Sequence, residues 1–370
     1  MNPDPELWGE LQAAGENVGL DALGVAAAEV FTSTLDDLRR RKEQGLHADM
    51  QFTYRNPERS TDPARHLPEA RSLVVGALSY LRNADGTELM EPAGRVARYV
   101  WEDHYRDLRG KLGVVADVLD RAGWRSRILV DDNALVDREA AHRAGLGWYG
   151  KNANLLLPGR GSWFVLGSIL TDAPLPASQP LEDGCGTCTR CLTSCPTDAI
   201  VEPGTIDANR CLAWLVQAKG SFPPEFREAL GDRMYGCDDC QEVCPPNRRQ
   251  ARQAVHLTSP ARRPWVPLLE ILAADDDTLL DRYGVWYIPG REARYLRRNA
   301  LIALGNSADG TDADVVAAVS AALAADDEIV RSHAVWAAKR LGLTDLLVQL
   351  VDDPSSAVAA ELARDVSPAR

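Results

Sequence analysis

Cys185-x2-Cys188-x2-Cys191-x3-Cys195-Pro196 and Cys237-x2-Cys240-x3-Cys244-Pro245 carry seven of the chain's eight cysteines, and Cys211 lies between them. Eight thiolates make two four-ligand sets. In a two-cluster ferredoxin module the first three cysteines of a run hold one [4Fe-4S] cube, while the fourth, before proline, reaches across to the other. On that pattern Cys185, Cys188, Cys191 and Cys244 bind one cluster, and Cys195, Cys211, Cys237 and Cys240 bind the second. A zinc ribbon would present two isolated C-x2-C pairs, and a disulfide framework suits a short secreted chain. This chain has 370 residues and begins MNPDPELWGE, with no signal-type apolar region, so iron-sulfur is the favoured reading.

Composition frames that module. With 45% hydrophobic residues the chain can bury ordinary cores in two or three domains. No apolar run approaches the roughly 20 residues needed to cross a bilayer. Arg39-Arg40-Arg41 is followed by KEQGLHADMQ rather than an apolar stretch, which excludes a twin-arginine signal. The expectation is a cytoplasmic protein without membrane association, in a compartment where thiolates stay reduced. A net charge of -13 argues against a chain that coats nucleic acid with its whole surface, so a polyanion must meet a local basic patch. Arg291, Arg294 and Arg298, with Arg297 beside them, have the spacing of one helix face; Arg248, Arg249, Arg252, Arg262 and Arg263 form a second candidate. Solvated surface charge is the competing explanation for both.

Three regions follow along the chain. Up to about residue 180, strand-like runs RSLVVGALSY (from Arg71), SRILVDD (from Ser126) and SWFVLGSIL (from Ser162) alternate with helical spacing at Tyr105, Leu108, Leu112, Val115 and Leu119. This is an α/β pattern. TDAPLPASQPLEDG reads as a linker into a cluster domain over 181–258. Over 259–370, LRRNALIALG (from Leu296) aligns with VRSHAVWAAK (from Val330) at an offset of 34 positions, matching Leu296, Ala300 and Ala303 to Val330, Ala334 and Ala337. Such units cannot bury their apolar faces alone and must stack; a third is expected to begin near Asp352-Asp353-Pro354.

The segments VDDNALVDREAAHRAGLGWYGKN (from Val130), GSWFVLGSILTD (from Gly161), CGTCTRCLTSCPTDAI (from Cys185) and GDRMYGCDDCQEVCPPN (from Gly231) resemble the epoxyqueuosine reductase family. The resemblance implies an α/β domain holding cobalamin, a two-cluster module, a HEAT-like tail that helps hold a tRNA anticodon stem-loop, and a cytoplasmic monomer fed by an external flavodoxin- or ferredoxin-type donor. It also implies the reduction of an epoxide on a hypermodified tRNA base, the last step in making queuosine. Another cobalamin and iron-sulfur reductase, such as a reductive dehalogenase, and a non-enzymatic electron carrier are the alternatives.

Opening an epoxide to an alkene and water takes two electrons and two protons, whereas a cube passes electrons singly, so a redox centre able to engage carbon is needed between them. A proton donor is needed too. Asp131 directly follows the apolar run Ile128-Leu129-Val130, at the carboxyl end of a strand where α/β sheets open ligand crevices. In the resembling family the aspartate of this Val-Asp motif is the proton donor, and Asp131 is the matching position. A turn or cap role is the plain alternative. By resemblance Arg59, Asp131, Lys151, Asn152, Leu155, Ser162, Trp163, Gln217 and Asp238 are cofactor contacts, and no D-x-H-x-x-G motif offers a lower axial histidine. The chain departs from the family's usual pattern at Glu102, His104, Arg106 and Ser168, which bears on the substrate pocket.

Overall fold

Four strands, β1 (Ala22–Ala27), β2 (Ser72–Ser79), β3 (Ser126–Val130) and β4 (Phe164–Thr171), form one sheet in the computed structural model, in the order β1-β2-β4-β3. All neighbouring pairs are antiparallel, from Val25 opposite Val74 to Val130 opposite Gly167. The three apolar runs singled out in the sequence are β2, β3 and β4. Strand direction is where the structure differs from the usual doubly wound sheet. The rule that crevices open at the carboxyl ends belongs to parallel sheets, so it does not carry the placement of Asp131. What does carry it is local: β3 ends at Val130 on a sheet edge, and Asp131 turns the chain with φ of 49°.

Helices α1 (Pro5–Asn17), α2 (His104–Arg121) and α3 (Asp137–Arg143) pack on this sheet. Leu108, Leu112, Val115 and Leu119 of α2 are fully buried, as their spacing predicts, each contributing on the order of 1.5–3 kcal/mol of burial. Two glycines let α2 approach the sheet. A Cβ on Gly76 would lie 2.9 Å from Leu112, and one on Gly167 would lie 2.6 Å from Val130 and 2.9 Å from Leu112. The alternate residues Leu73, Val75 and Ala77 of β2 share a second core with Ala140 and Ala141 of α3. Cover on both faces explains why β2 and β4 read as unbroken apolar runs. The proline-rich linker is tied down: Ser178 N–H donates to Val25 O at 2.8 Å, and Ala173 and Leu175 are buried.

The described residues are 3–84, 92–254, 256–257 and 264–368. They fall into two units of interleaved segments, Met1–Asn83 with Glu102–Asn209 and Asp239–Val255, and Ala84–Trp101 with Arg210–Asp238 and His256–Arg370. In the second unit, Ala93–Val96 is flanked by Arg233–Tyr235 and Trp265–Pro267 in a three-stranded sheet. Its helices include α4 (Pro224–Leu230), α5 (Arg294–Ser307), α6 (Ala313–Leu323), α7 (Glu328–Arg340) and α8 (Ser356–Ala363). Helix α7 packs against α5, α6 and α8. Both halves of the 34-residue offset are helical, and Leu296, Ala300, Ala303, Val330, Ala334 and Ala337 meet in one core with Leu212, Leu215 and Phe222. Asp312, Asp327 and Ser355 cap α6, α7 and α8 by accepting backbone N–H groups.

The arginine face expected over residues 291–298 is not an open basic patch. Helix α5 starts only at Arg294; Arg291 lies in the preceding turn and donates to Gly284 O. Arg294 pairs with Glu292 and Asp327, and Arg297 pairs with Asp276. Arg298 is fully buried, donating to the carbonyls of Leu215, Val216, Ala218 and Gly220, so it closes the loop that bears Gln217. In the other patch Arg248, Arg249 and Arg252 are exposed, while Arg262 and Arg263 lie outside the described residues.

Nearby, His333 accepts from Phe222 N–H through Nε2 and donates from Nδ1 to Ile329 O. Burial, with Arg227 and Arg298 adding, holds it well below the usual histidine range, hence neutral. Arg227, also fully buried, pairs with Glu361 at 2.9 Å. Removing one member of such a pair strands the other charge without solvent. Glu361→Ala is predicted to lower the stability of this unit by about 3 kcal/mol, and Arg227→Met with Glu361→Leu to recover most of that loss, measured by urea denaturation.

Candidate functional site

Cys185, Cys188, Cys191 and Cys244 line one pocket, together with Gly150, Lys151, Asn152, Leu156, Arg190 and Pro245. This is the first of the two ligand sets read from spacing. Three of its cysteines sit on the loop and short helix around Arg190–Thr193, and the fourth caps the helix Pro245–Ala251. None of the eight cysteines is in a disulfide. Among the described residues no three His, Cys, Asp or Glu side chains converge on a single-ion site. Thiols spread around a cavity suit a cube better than a zinc ion, whose ligands stand about 2.0–2.3 Å from one point. Burial first, then the neighbouring Cys185, Cys191 and Cys188, push the Cys244 thiol up to about 11; burial likewise raises Cys191. Crowded thiols of this kind lose their protons together when a metal takes their place.

Lys151 and Asn152 hold the walls. Lys151 Nζ donates to Gly186 O at 2.7 Å and Cys188 O at 3.0 Å, and Asn152 Nδ2 to Cys240 O at 3.3 Å. Gly161 has φ of +79°, and a Cβ there would lie 1.9 Å from Asn247 Oδ1. Its absence lets Asn247 accept from Ser162 N–H and donate to Ser162 Oγ and Gln241 O, while Ser162 Oγ donates to Gln241 Oε1. The GSW motif is thus fastened to the turn between Cys240 and Cys244. Trp163 is buried against Tyr80, edge to face, and Leu155 is buried in the core with α3. Asn247 and Gln241 escaped the sequence reading, although both lie in the quoted CDDCQEVCPPN; only the approach permitted by Gly161 reveals what they do.

Asp131 lies on a second feature of the same unit. The loop after β3 is clasped by the segment before β2: Ser60 Oγ donates to Asn133 O at 2.6 Å, Arg59 Nη1 to Asn133 Oδ1 at 3.0 Å, and Val136 N–H to Ser60 O at 3.1 Å. Arg109 Nη2 donates to Val130 O at 2.7 Å from α2. A non-glycine residue at positive φ is strained, and these bonds hold Asp131 there. Its surface is exposed, yet protein crowds the carboxyl itself, and that crowding raises it above the usual carboxylate range; Asp132 and Asp103 add, and Arg109 opposes. Asp137, at the start of α3, is raised well above by burial and then by Asp131.

The remaining predicted residues divide. Cys195 and Cys240 belong to the first unit, Cys211 and Cys237 to the second, as do Gln217, which donates to Tyr99 Oη, and Asp238, which accepts from Arg98 N–H. Of the four departures, His104 and Ser168 are buried packing positions, Ser168 with its hydroxyl unpartnered; Arg106 is largely exposed and pairs with Asp103, and Glu102 is half-buried.

A family of 4Fe-4S double cluster binding domains matches residues 184–247. The epoxyqueuosine reductase of Bacillus cereus is 33% identical over 349 residues, spanning 91% of this chain and 90% of that protein. That of Escherichia coli K12 is 34% identical over 312 residues, 82% of each. Among solved structures, an epoxyqueuosine reductase with a tRNA-Tyr epoxyqueuosine-modified stem loop superposes with a TM-score of 0.87 at 31% identity, covering 96% of this chain and 97% of that one. The Bacillus subtilis enzyme, with its catalytic aspartate loop swung out of the active site, gives 0.86 at 30% identity over 96% and 97%.

Lys151→Met removes the cation that gathers the Gly186 and Cys188 carbonyls. The variant is predicted to bind less iron and sulfide per chain after anaerobic reconstitution while keeping its far-ultraviolet circular dichroism.

Proposed function

The chain belongs to the epoxyqueuosine reductase family, and from that premise we propose that it reduces epoxyqueuosine to queuosine in the anticodon of tRNA, as an oxidoreductase carrying a double [4Fe-4S] domain. The observation that carries the chemistry is the cavity ringed by Cys185, Cys188, Cys191 and Cys244. We assign that set to one cube and Cys195, Cys211, Cys237 and Cys240 to the other, on the ferredoxin spacing. Electrons arrive singly from a flavodoxin- or ferredoxin-type donor. The working regions are 1–180 for the reaction, 181–258 for the clusters, and 259–370, as HEAT-like repeats, for the anticodon stem-loop. A monomer in the cytoplasm completes the reading.

Cobalamin is the group we assign between clusters and substrate; when bound, it supplies a metal centre that takes electrons one at a time and engages the substrate directly. The polar side chains present would fit such a group by hydrogen bonding: Arg59 Nη1 reaches Asn133 Oδ1 in the loop of Asp131, and Asn152 Nδ2 reaches Cys240 O. Arg59, against the Asp131 loop, and Asn152, against the Cys240 turn, are the side chains we assign to hold the cofactor in the first unit, with Gln217 and Asp238 from the second. Lys151, Leu155, Ser162 and Trp163 serve it by fixing the backbone around them.

Asp131 is the acid in this scheme. Its raised affinity for a proton is the property a donor at neutral pH needs, and the strained, clasped loop fixes the direction of delivery. The test is anaerobic turnover of an epoxyqueuosine-bearing anticodon stem-loop with added cobalamin, reading the loss of one oxygen by mass. Wild-type protein should yield the alkene. Asp131→Asn should keep its iron and corrin while turnover falls on the order of 10²-fold or more. Undiminished turnover in that variant would remove Asp131 from the role.

A further inference from the structure

Electrons must reach the clusters from outside, and small electron-carrier proteins of the flavodoxin type are acidic. The chain itself has a net charge of -13, so it repels such a partner from most of its surface. We infer that the outward face of the helix Pro245–Ala251, with Arg248, Arg249 and Arg252, docks the acidic face of a flavodoxin-type donor beside the pocket of Cys185, Cys188, Cys191 and Cys244. The inference rests on the reading of those thiols as cluster ligands and adds where the electron enters. In each encounter one electron leaves the donor's reduced flavin and enters the oxidised cluster, and no bond is made or broken. Two encounters supply the two electrons that the epoxide takes.

The helix is one-sided, and all of it belongs to the first unit. Its inner residues are tied down: Asn247 is fully buried on Ser162 and Gln241, Gln250 Nε2 donates to Gly159 O at 2.7 Å, and Asn83 Nδ2 donates to Ala251 O at 2.7 Å. Arg248 and Arg252, one helical turn apart, and Arg249 between them are left exposed on the outside. Residues 245–254 contain no acid, and the three guanidinium groups form no ion pair or hydrogen bond among the described residues. Arg294 and Arg297, by contrast, are spent on Glu292, Asp327 and Asp276. Proximity to the pocket follows from the chain. Cys244 caps the helix, so Arg248 stands about 6 Å along its axis from a pocket thiol and Arg252 about 12 Å. Arg190, exposed and also without an ion pair, lines the pocket together with Pro245. Of the acids beside Cys185, Asp183 is engaged with the Cys185 N–H at 2.8 Å. Gly186, Thr187 and Thr189 are exposed and the four cysteines only half-buried, so little protein covers this edge. Phosphate would satisfy the same arginines; what favours a carrier is that the patch starts at a cluster ligand.

Two readouts on the anaerobically reconstituted chain separate docking from chemistry. Fluorescence anisotropy of a labelled, oxidised flavodoxin measures binding without turnover, and stopped flow with the same flavodoxin reduced follows the loss of visible cluster absorbance. Wild-type chain should bind, and bind more weakly as salt rises from about 0.01 M to about 0.5 M, because screening shortens the reach of surface charge. Combining Arg248→Glu, Arg249→Glu and Arg252→Glu should weaken both Kd and the second-order rate by about tenfold or more at low salt, with convergence on wild type at high salt. Iron content, and reduction by photoreduced deazaflavin, which is too small to need a docking face, should not change. Arg249→Gln with Arg252→Gln, which removes charge without reversing it, should lose less in the same salt-dependent way. Flavodoxin that fails to bind wild-type chain, or binds and reduces wild type and the Glu variant alike at low salt, would overturn the proposal. So would weaker binding of the tRNA stem-loop in the Glu variant with flavodoxin unaffected, which would give the patch to the nucleic acid. A wild-type chain with no absorbance that deazaflavin can bleach would instead strike the underlying reading of the thiols.

Discussion

The convergence of Cys244 on Cys185, Cys188 and Cys191 is the constraint on which the rest depends. It joins a short helix to a loop more than fifty positions earlier in the chain, around one pocket. Burial first, and then the neighbouring thiols, raise Cys244 and Cys191, and a metal that replaces their protons removes that cost. Lys151 on the Gly186 and Cys188 carbonyls and Asn247 under Gly161 position those walls.

The acid loop follows a different logic. Asp131 sits at a strained backbone position at the end of an edge strand, held from one side by Ser60 and Arg59 and from the other by Arg109. In the proposed scheme that hold aims the carboxyl, and hydrogen bonds worth about 1 kcal/mol each offset the strain at Asp131.

Much of this was legible in the sequence because it depends on spacing. The cysteine runs, the apolar repeat from Leu108 to Leu119 and the 34-residue offset between α5 and α7 are all periodic signals that the structure reproduces. Strand direction was not legible, since a strand covered on both faces reads as the same unbroken apolar run whether its neighbours run parallel or antiparallel. Arg298 was misplaced for a related reason: arginine at helical spacing reads as a surface charge, and only the ring of carbonyls from Leu215 to Gly220 makes burial tolerable. Interleaving of the two units escaped as well, because contacts of Ala84–Trp101 with the helical tail leave no mark in local composition.

The most direct test of the account is Mössbauer spectroscopy with metal and sulfide analysis on the chain purified without oxygen. Two [4Fe-4S] clusters per chain are predicted, with Cys244→Ala selectively altering one and leaving the spectrum of the other intact. A single cluster, zinc in place of iron, or equal loss of both clusters in Cys244→Ala would contradict the assignment from which the electron path is built.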